Sequence, residues 1–389
     1  MNRPSFLKKN HSLNEYYIPV LPALSPGLLA KRKKQELPFP FNHPRYYDYY
    51  FGRSAVWHGM KSLGLTAKDR VLFPSYHHGV EAEAIFHAGL KVDFYRINAK
   101  MEIDLEDLKK KIRPESRVLY LIYYLGFPHP VREILSLCKE HRLYLVEDCA
   151  LSLFSRVDGA PMGSLGNLSI FSFHKTLPLP NGGGLVMNKS DGWFPPRRMD
   201  PPLVSTLSHM AGGLMNRLKM EHPKTGPVVH TVSKGLASSI LKLGRVQRTS
   251  VANMEFNTEK TGWGMSSISK RILRSIDPVQ VIERRRENFS YLLGHLDLKK
   301  RFVVDRLPTG VCPLFFPILV EDKERAYRDL MARGIETVNF WGIPHPATPP
   351  GVYAEVEYLR AHLLEVPIHQ DLHQGHLEYM VKSLMETLR

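Results

Sequence analysis

Cysteine is scarce: Cys138, Cys149 and Cys312 are the only three in 389 residues, odd in number and far apart. That spacing excludes a disulfide framework and the paired cysteines of a zinc site, and it suits a reducing cytoplasm. Long apolar runs are missing too. The most apolar stretch, Val118 to Phe127, is too short to span a bilayer and reads as a buried strand. The first residues lack a continuous apolar core and a small-residue cleavage site, so no secretory signal is expected. Acidic residues are outnumbered, 38 against 53 lysines and arginines, which leaves a formal charge of +15. Such an excess suits a polyanionic ligand, although a plain basic soluble protein has the same balance. Aromatic residues are not interleaved with the charges as a strand-binding surface requires, so nucleic acid is not an expected partner. No internal repeat and no low-complexity tract is present.

What is present is alternation. Residues 1–45 read as an arm, with Lys31-Arg-Lys-Lys34 followed by Leu37 to Pro44, whose prolines forbid regular helix. It would lie across a partner subunit or hang in solvent as a basic tail. From Tyr46 onward apolar spacing predicts helices over Ser54 to Leu63, Gly79 to Ala88, Leu105 to Ile112 and Val131 to His141. Between them come strands at Val71 to Phe73, Lys91 to Ile97, Arg117 to Tyr124 and Leu143 to Val146. Two more follow at Leu168 to Phe173 and Gly184 to Met187. Helix and strand in strict alternation, with strands as continuously apolar as Val118 to Ile122, predict an α/β domain whose mostly parallel sheet is covered on both faces.

Over residues 191–260 the period is lost, and Asp191 to Ser208 is expected as loop. Residues 276–297 resume as a helix whose basic triplet, Arg284-Arg-Arg286, is expected to be solvated and to hold no ligand. The expected domains are therefore the arm, a large domain over 46–260 that ends in an insert-like segment, and a smaller α/β domain over 261–389. The last has a strand at Pro313 to Val320 and helices near Arg325 to Arg333 and Leu372 to Leu388.

One run carries chemistry. Ser172-Phe-His-Lys175 stands between an apolar strand and the glycines Gly182-Gly-Gly184. A lysine amine there can condense with an aldehyde while the Ser172 hydroxyl contacts a phosphate. Asp148 ends the strand Leu143 to Asp148 at the edge where open parallel sheets bind ligands, and a carboxylate there can pair with a protonated pyridine nitrogen. These are the groups that pyridoxal 5'-phosphate requires of a protein, and it is the expected cofactor. Arg53 and Ser54 open a helix after Gly52, where unpaired backbone N–H groups suit the phosphate, though Ser54 can equally cap the helix. The three glycines are no dinucleotide fingerprint, because they precede a strand; they relax the backbone behind the lysine turn. No metal ligand set is expected.

These motifs resemble, in order and spacing, those of the DegT/DnrJ/EryC1/StrS family of pyridoxal-phosphate enzymes. The likeness is carried by Gly52-Arg-Ser-Ala-Val56 with Leu63-Gly-Leu65, and by Val71-Leu-Phe-Pro-Ser-Tyr-His-His-Gly79. Leu125-Gly126, Val146-Glu-Asp-Cys-Ala150 and Gly163-Ser-Leu-Gly166 continue it. Thr261-Gly-Trp-Gly-Met-Ser266 and Leu364-Glu-Val-Pro-Ile-His369 close it. The resemblance implies a fold-type-I transferase with a three-layer α/β/α large domain. It implies an aminotransferase moving an amino group from an amino acid such as glutamate to a nucleotide-linked keto-sugar, with polysaccharide biosynthesis as one setting. It further implies a homodimer whose Trp263 to Ser266 motif reaches the neighbour's site, and it puts His78 where the family stacks a ring on the cofactor, with His77 able to exchange roles.

Two departures stand out. Many members place the lysine five residues after the serine, where this chain has Leu177, and the family's glutamine three residues after the aspartate is Leu151 here. The lysine at Lys175 is read as retained in a shortened turn. The alternatives are a dehydratase-like use of His174, which replaces the lysine in one branch of the family, or a binding or scaffolding protein without catalysis.

Overall fold

The computed structural model describes residues 14–30, 36–189, 195–196, 198–225, 256–297, 301–339 and 341–388. The basic run Lys31 to Lys34 and residues 226–255, within the segment expected to be insert-like, lie outside them.

A short helix α1 (Pro26–Ala30) precedes β1 (Tyr46–Tyr49), α2 (Gly52–Ser62), β2 (Arg70–Pro74), α3 (Val80–His87) and β3 (Lys91–Tyr95). Next come α4 (Leu105–Lys111), β4 (Ser116–Ile122), α5 (Val131–Glu140) and β5 (Tyr144–Asp148). A small hairpin, β6 (Arg156–Val157) and β7 (Ala160–Pro161), leads into β8 (Leu168–Ser172) and β9 (Gly183–Met187). The helix α6 (Leu203–Glu221), α7 (Ser267–Leu273) and α8 (Pro278–His295) connect to the second lobe. That lobe holds β10 (Phe315–Leu319), α9 (Lys323–Ala332), α10 (Ala354–His362), β11 (Leu363–Pro367) and α11 (Gln374–Leu388).

The seven-stranded sheet runs β1-β9-β8-β5-β4-β2-β3. Five strands, β3, β2, β4, β5 and β8, are parallel; β9 and β1 add antiparallel pairings at one edge. This is the alternating α/β architecture expected. Six of the seven residues of β4 and all five of β8 are buried, as the continuous apolar runs require of a sheet covered on both faces. β10 and β11 form a separate antiparallel pair with its own apolar core, built from residues such as Phe289, Phe316, Leu364 and Met380. Among the described residues no helix is long and apolar enough to cross a membrane, and all three cysteines are buried and free.

Three expectations need correction or refinement. The loop expected over Asp191 to Ser208 gives way to helix from Leu203, where α6 begins directly after Pro201-Pro202. A proline just before the first helical turn starts a helix as readily as it ends one. The triplet Arg284 to Arg286 is only partly solvated, and its middle member is buried. Arg285 is 1% exposed and spends its guanidinium on the carbonyls of Thr176, Pro313 and Leu314 and on Gln370 Oε1, at 2.9–3.2 Å. Arg284 and Arg286 likewise donate to the carbonyls of Leu372, Pro308 and Val311. Lastly, the described part of the N-terminal arm packs on its own chain. Ile18 exchanges backbone bonds with Gly334 and Glu336, the Tyr17 hydroxyl donates to Glu336, and Ala23 N donates to Asp371.

Candidate active site

The site lies at the carboxyl ends of the parallel strands, where the helices that follow them begin. A cavity of about 320 Å³ opens there, between the large sheet, the second lobe and the N-terminal segment. Arg53, His78, Asp148, Ser172 and Lys175 all line it. Ser54 does not: it is buried at the third position of α2, outside the cavity wall.

One end of the cavity is built for an anion. α2 starts at Gly52 with the extended residue Phe51 at its N-cap and no side-chain cap bond, so its first-turn N–H groups have no partner from the helix itself. Gly52 lies against β8: a Cβ there would come within 3.1 Å of the Phe171 carbonyl and 3.3 Å of Ser172 Cβ. Gly183 does the same job from β9, since a Cβ on it would collide with the backbone of Phe51 and Gly52. The glycines thus press the helix start onto the Ser172 hydroxyl. This close approach, rather than mere backbone freedom, is why small residues are needed there. The Arg53 guanidinium sits 4.1 Å from the centre of the Phe51 ring. Ser172 Oγ is 3.3 Å from His174 Nδ1.

Opposite stands the acid. Asp148, at the last position of β5, accepts the Tyr120 hydroxyl at 2.6 Å and the Ala150 N–H at 2.9 Å. Burial pushes its pKa up to about 6, helped by the nearby charge of Glu81 and opposed by those hydrogen bonds and Lys175. Its neighbour Glu147 points the other way and takes N–H bonds from Gly163, Leu165 and Gly166, pinning the loop that leads into β8. That is the physical content of the Gly163-Ser-Leu-Gly166 motif.

Lys175 ends a single 3₁₀ turn, Phe173–Lys175, directly after β8. Arg285 and Gln370 grip the carbonyl of the next residue, Thr176, at 3.0 and 3.2 Å, so the second lobe fixes the turn that presents the lysine. Burial lowers the Lys175 pKa below the ordinary lysine value, against the pull of Asp148, Glu81 and Glu365. A lysine in that state yields its neutral, nucleophilic amine more readily. Leu177, five residues after Ser172, is wholly buried in the core. Position 175, not position 177, faces the cavity.

His78 lines the cavity, whereas His77 is buried between the Phe94 ring and the Thr348 hydroxyl, 2.9 Å from its Nε2. The two histidines do not exchange roles. His78 and His174 are held neutral, their pKa values lowered to about 4 and about 3, by burial first and then by the Lys175 charge. Leu151 is buried in the apolar core, so no polar group stands where the glutamine was expected.

Residues that sequence reasoning missed complete the walls. Val20 and Leu21 come from the N-terminal segment, and Phe315, Val338, Asn339 and Trp341 from the second lobe. Arg360 ties these lips together by donating to the carbonyls of His77, Trp341 and Ile343. Glu81 was missed as well; an acid in the first turn after Gly79 reads as a helix-dipole partner, and that hides it.

The constellation fits pyridoxal phosphate: an anion cradle, an acid at a strand end, a flat neutral imidazole and a lysine with lowered proton affinity share one cavity. Comparison with known proteins agrees. Residues 52–193 match the model of the DegT/DnrJ/EryC1/StrS aminotransferase family. Over 142 residues the chain is 31% identical to GDP-perosamine synthase of Vibrio cholerae, covering 36% of this chain and 39% of that one. It is 30% identical over 141 residues to dTDP-4-dehydro-2,3,6-trideoxy-D-glucose 4-aminotransferase of Saccharopolyspora spinosa, covering 36% of this chain and 37% of the relative. The match thus spans under two fifths of the length of these curated relatives. The fold likeness is wider. The crystal structure of the sugar aminotransferase CalS13 from Micromonospora echinospora superposes with a TM-score of 0.65 at 17% identity, over 95% of this chain and 99% of that one.

Proposed function

We propose that this chain, whose residues 52–193 match the model of the DegT/DnrJ/EryC1/StrS aminotransferase family, is a pyridoxal-phosphate-dependent aminotransferase acting on a nucleotide-linked keto-sugar. The observation that carries this is the meeting of Lys175, Asp148 and the α2 N-terminus in one cavity. The names of the relatives support the substrate class, since both act on sugars carried on nucleotides.

When bound, the cofactor supplies an aldehyde that takes up the amino group and a ring that accepts electrons from the reacting carbon. The protein does the rest. The α2 N-terminus, Arg53 and Ser172 hold the phosphate. Asp148 would keep the ring nitrogen protonated, and His78 would offer its flat imidazole to the ring. Lys175 Nζ would hold the aldehyde at rest and would move the proton on and off the donor's α-carbon as general base and acid. Phe315, Val338 and Trp341 keep water from that exchange.

Glutamate is the donor to test first. Added to the yellow, cofactor-loaded protein, it should bleach the visible band, and an accepted nucleotide-linked keto-sugar should restore it. A colourless protein that ignores added pyridoxal phosphate would point instead to a binding or scaffolding role, and sugar turnover without an amino donor to a dehydratase using His174.

We also propose a homodimer. Met199, Leu203, Val204 and Leu207 are large, apolar and 40–63% exposed around the start of α6, and Met199 pairs with Trp263 of the motif read as a dimer contact. Such a patch calls for a cover. Light scattering should return the mass of two chains; a single-chain mass at micromolar concentration would refute it.

A further inference from the structure

Glu81 is a carboxylate to which the reaction just described gives no task. It sits in the first turn of α3, three residues after His78, and both line the cavity. Its Oε1 accepts the His78 backbone N–H at 3.3 Å, while its Oε2 is buried with no hydrogen-bond partner. The residue is only 8% exposed. A carboxylate oxygen so placed, and left bare, is costly unless a proton or a ligand reaches it.

Asp148 lines the same cavity, and its oxygens already receive Tyr120 and Ala150. Two acids therefore share a pocket with one lysine. Two buried carboxylates that feel each other do not both ionise freely; the pair tends to hold one proton and titrates as a unit. The groups facing them are consistent with this. Lys175 lies across the cavity, Tyr120 and Tyr124 approach from β4 and the turn after it, Arg360 from α10 and His78 from the preceding loop. Tyr120 and Tyr124 stay neutral because burial raises their pKa values far above the usual, and His78 stays neutral as well. Lys175 is the cation that acts on both acids; Arg53 lines the same cavity but is assigned to the phosphate, and Arg360 spends its guanidinium on the carbonyls of His77, Trp341 and Ile343.

We propose that Glu81 and Asp148 form an acid pair that stores one proton in the cofactor-free protein and hands it to the basic ring nitrogen as the cofactor binds. In that step a carboxyl O–H bond breaks and its proton passes to the ring nitrogen, or to solvent where the nitrogen arrives already protonated, leaving two carboxylates beside a pyridinium and Lys175; nothing is oxidised or reduced. Asp148 meets the nitrogen. Glu81 acts through Asp148 as a positioning residue, and the step rests on the proposed cofactor.

Two measurements test it with Glu81→Gln, which keeps the shape and the contact to His78, and with Glu81→Asp, which keeps the acid. In the cofactor-free protein at pH 7, infrared difference spectra should show a protonated carboxyl band that vanishes in Glu81→Gln and persists in Glu81→Asp. Calorimetry of pyridoxal phosphate binding in two buffers of different ionisation enthalpy should then show Glu81→Gln drawing more protons from buffer than wild type, by a difference approaching about one per site. Identical bands and identical proton counts in wild type and Glu81→Gln would overturn the proposal. A protein that binds no pyridoxal phosphate overturns the cofactor assignment and the delivery step together, whereas the infrared band still decides whether the pair holds a proton.

Discussion

Lys175→Ala should give a protein onto which borohydride no longer fixes the cofactor and whose amino transfer falls by about 10²- to 10⁴-fold, the usual range for losing a positioned general acid–base. The loss should appear in kcat, because on the proposed reading Arg53, Ser172 and Asp148 would still hold the phosphate and the ring. Lys175→Arg is the sharper control. A guanidinium restores the positive charge opposite Asp148, Glu81 and Glu365, but it stays protonated and cannot condense with an aldehyde. If charge balance alone were Lys175's task, Arg would rescue activity. The expected result is a protein that folds normally, binds pyridoxal phosphate without covalent capture, and is as inactive as the alanine variant.

Asp148→Asn should separate stability from function. An amide cannot keep the ring nitrogen protonated, and amino transfer should fall by about 10²- to 10³-fold, as for other single electrostatic groups at a reacting centre. Stability should move the other way. The Asp148 carboxyl titrates near 6 in the fold, against about 3.9 in an unfolded chain. The native state therefore binds more protons than the unfolded state between roughly pH 4 and 6, and stability falls as pH rises through that window. Above pH 6 the ionised carboxylate costs the cofactor-free protein about 2–3 kcal/mol, at about 1.4 kcal/mol per pKa unit. Asparagine removes that cost, less whatever the Tyr120 bond loses on rearranging, so the variant should be more stable than wild type by about 1–3 kcal/mol at pH 8. Near pH 3 the two should converge. Urea unfolding at both pH values checks the sign; a variant less stable at pH 8 would mean that Asp148 holds the fold together rather than straining it.

The parts of this molecule that could be read from the string are those governed by near neighbours. β4 and β8 announce themselves because Val118 to Ile122 is an unbroken apolar run, Leu168, Ile170 and Phe171 dominate β8, and both faces are covered. That Lys175 and Asp148 would line one cavity was legible because strand ends at the carboxyl edge of a parallel sheet are where such folds bind ligands. α6 was not. Its buried residues are only Ser205, Thr206 and Met220, it carries Gly212 and Gly213 in its middle, and several of its leucines and valines face outward, so no apolar stripe marks it.

Arg285 misled for a related reason. Three adjacent arginines look like a solvated face, yet the acceptors of Arg285 lie between 28 and 109 residues away in sequence. Only folding brings those carbonyls to its guanidinium. The cavity's upper wall, from Val20 to Trp341, is distant from the lysine in the same way. No local spacing links its members.

The most direct measurement is the site of covalent capture. Protein incubated with pyridoxal phosphate, reduced with borohydride, digested and mapped by mass spectrometry should carry a single phosphopyridoxyl group, on Lys175. An active protein whose label falls on another lysine, or on none, would contradict the assignment of Lys175 as the group that holds the cofactor.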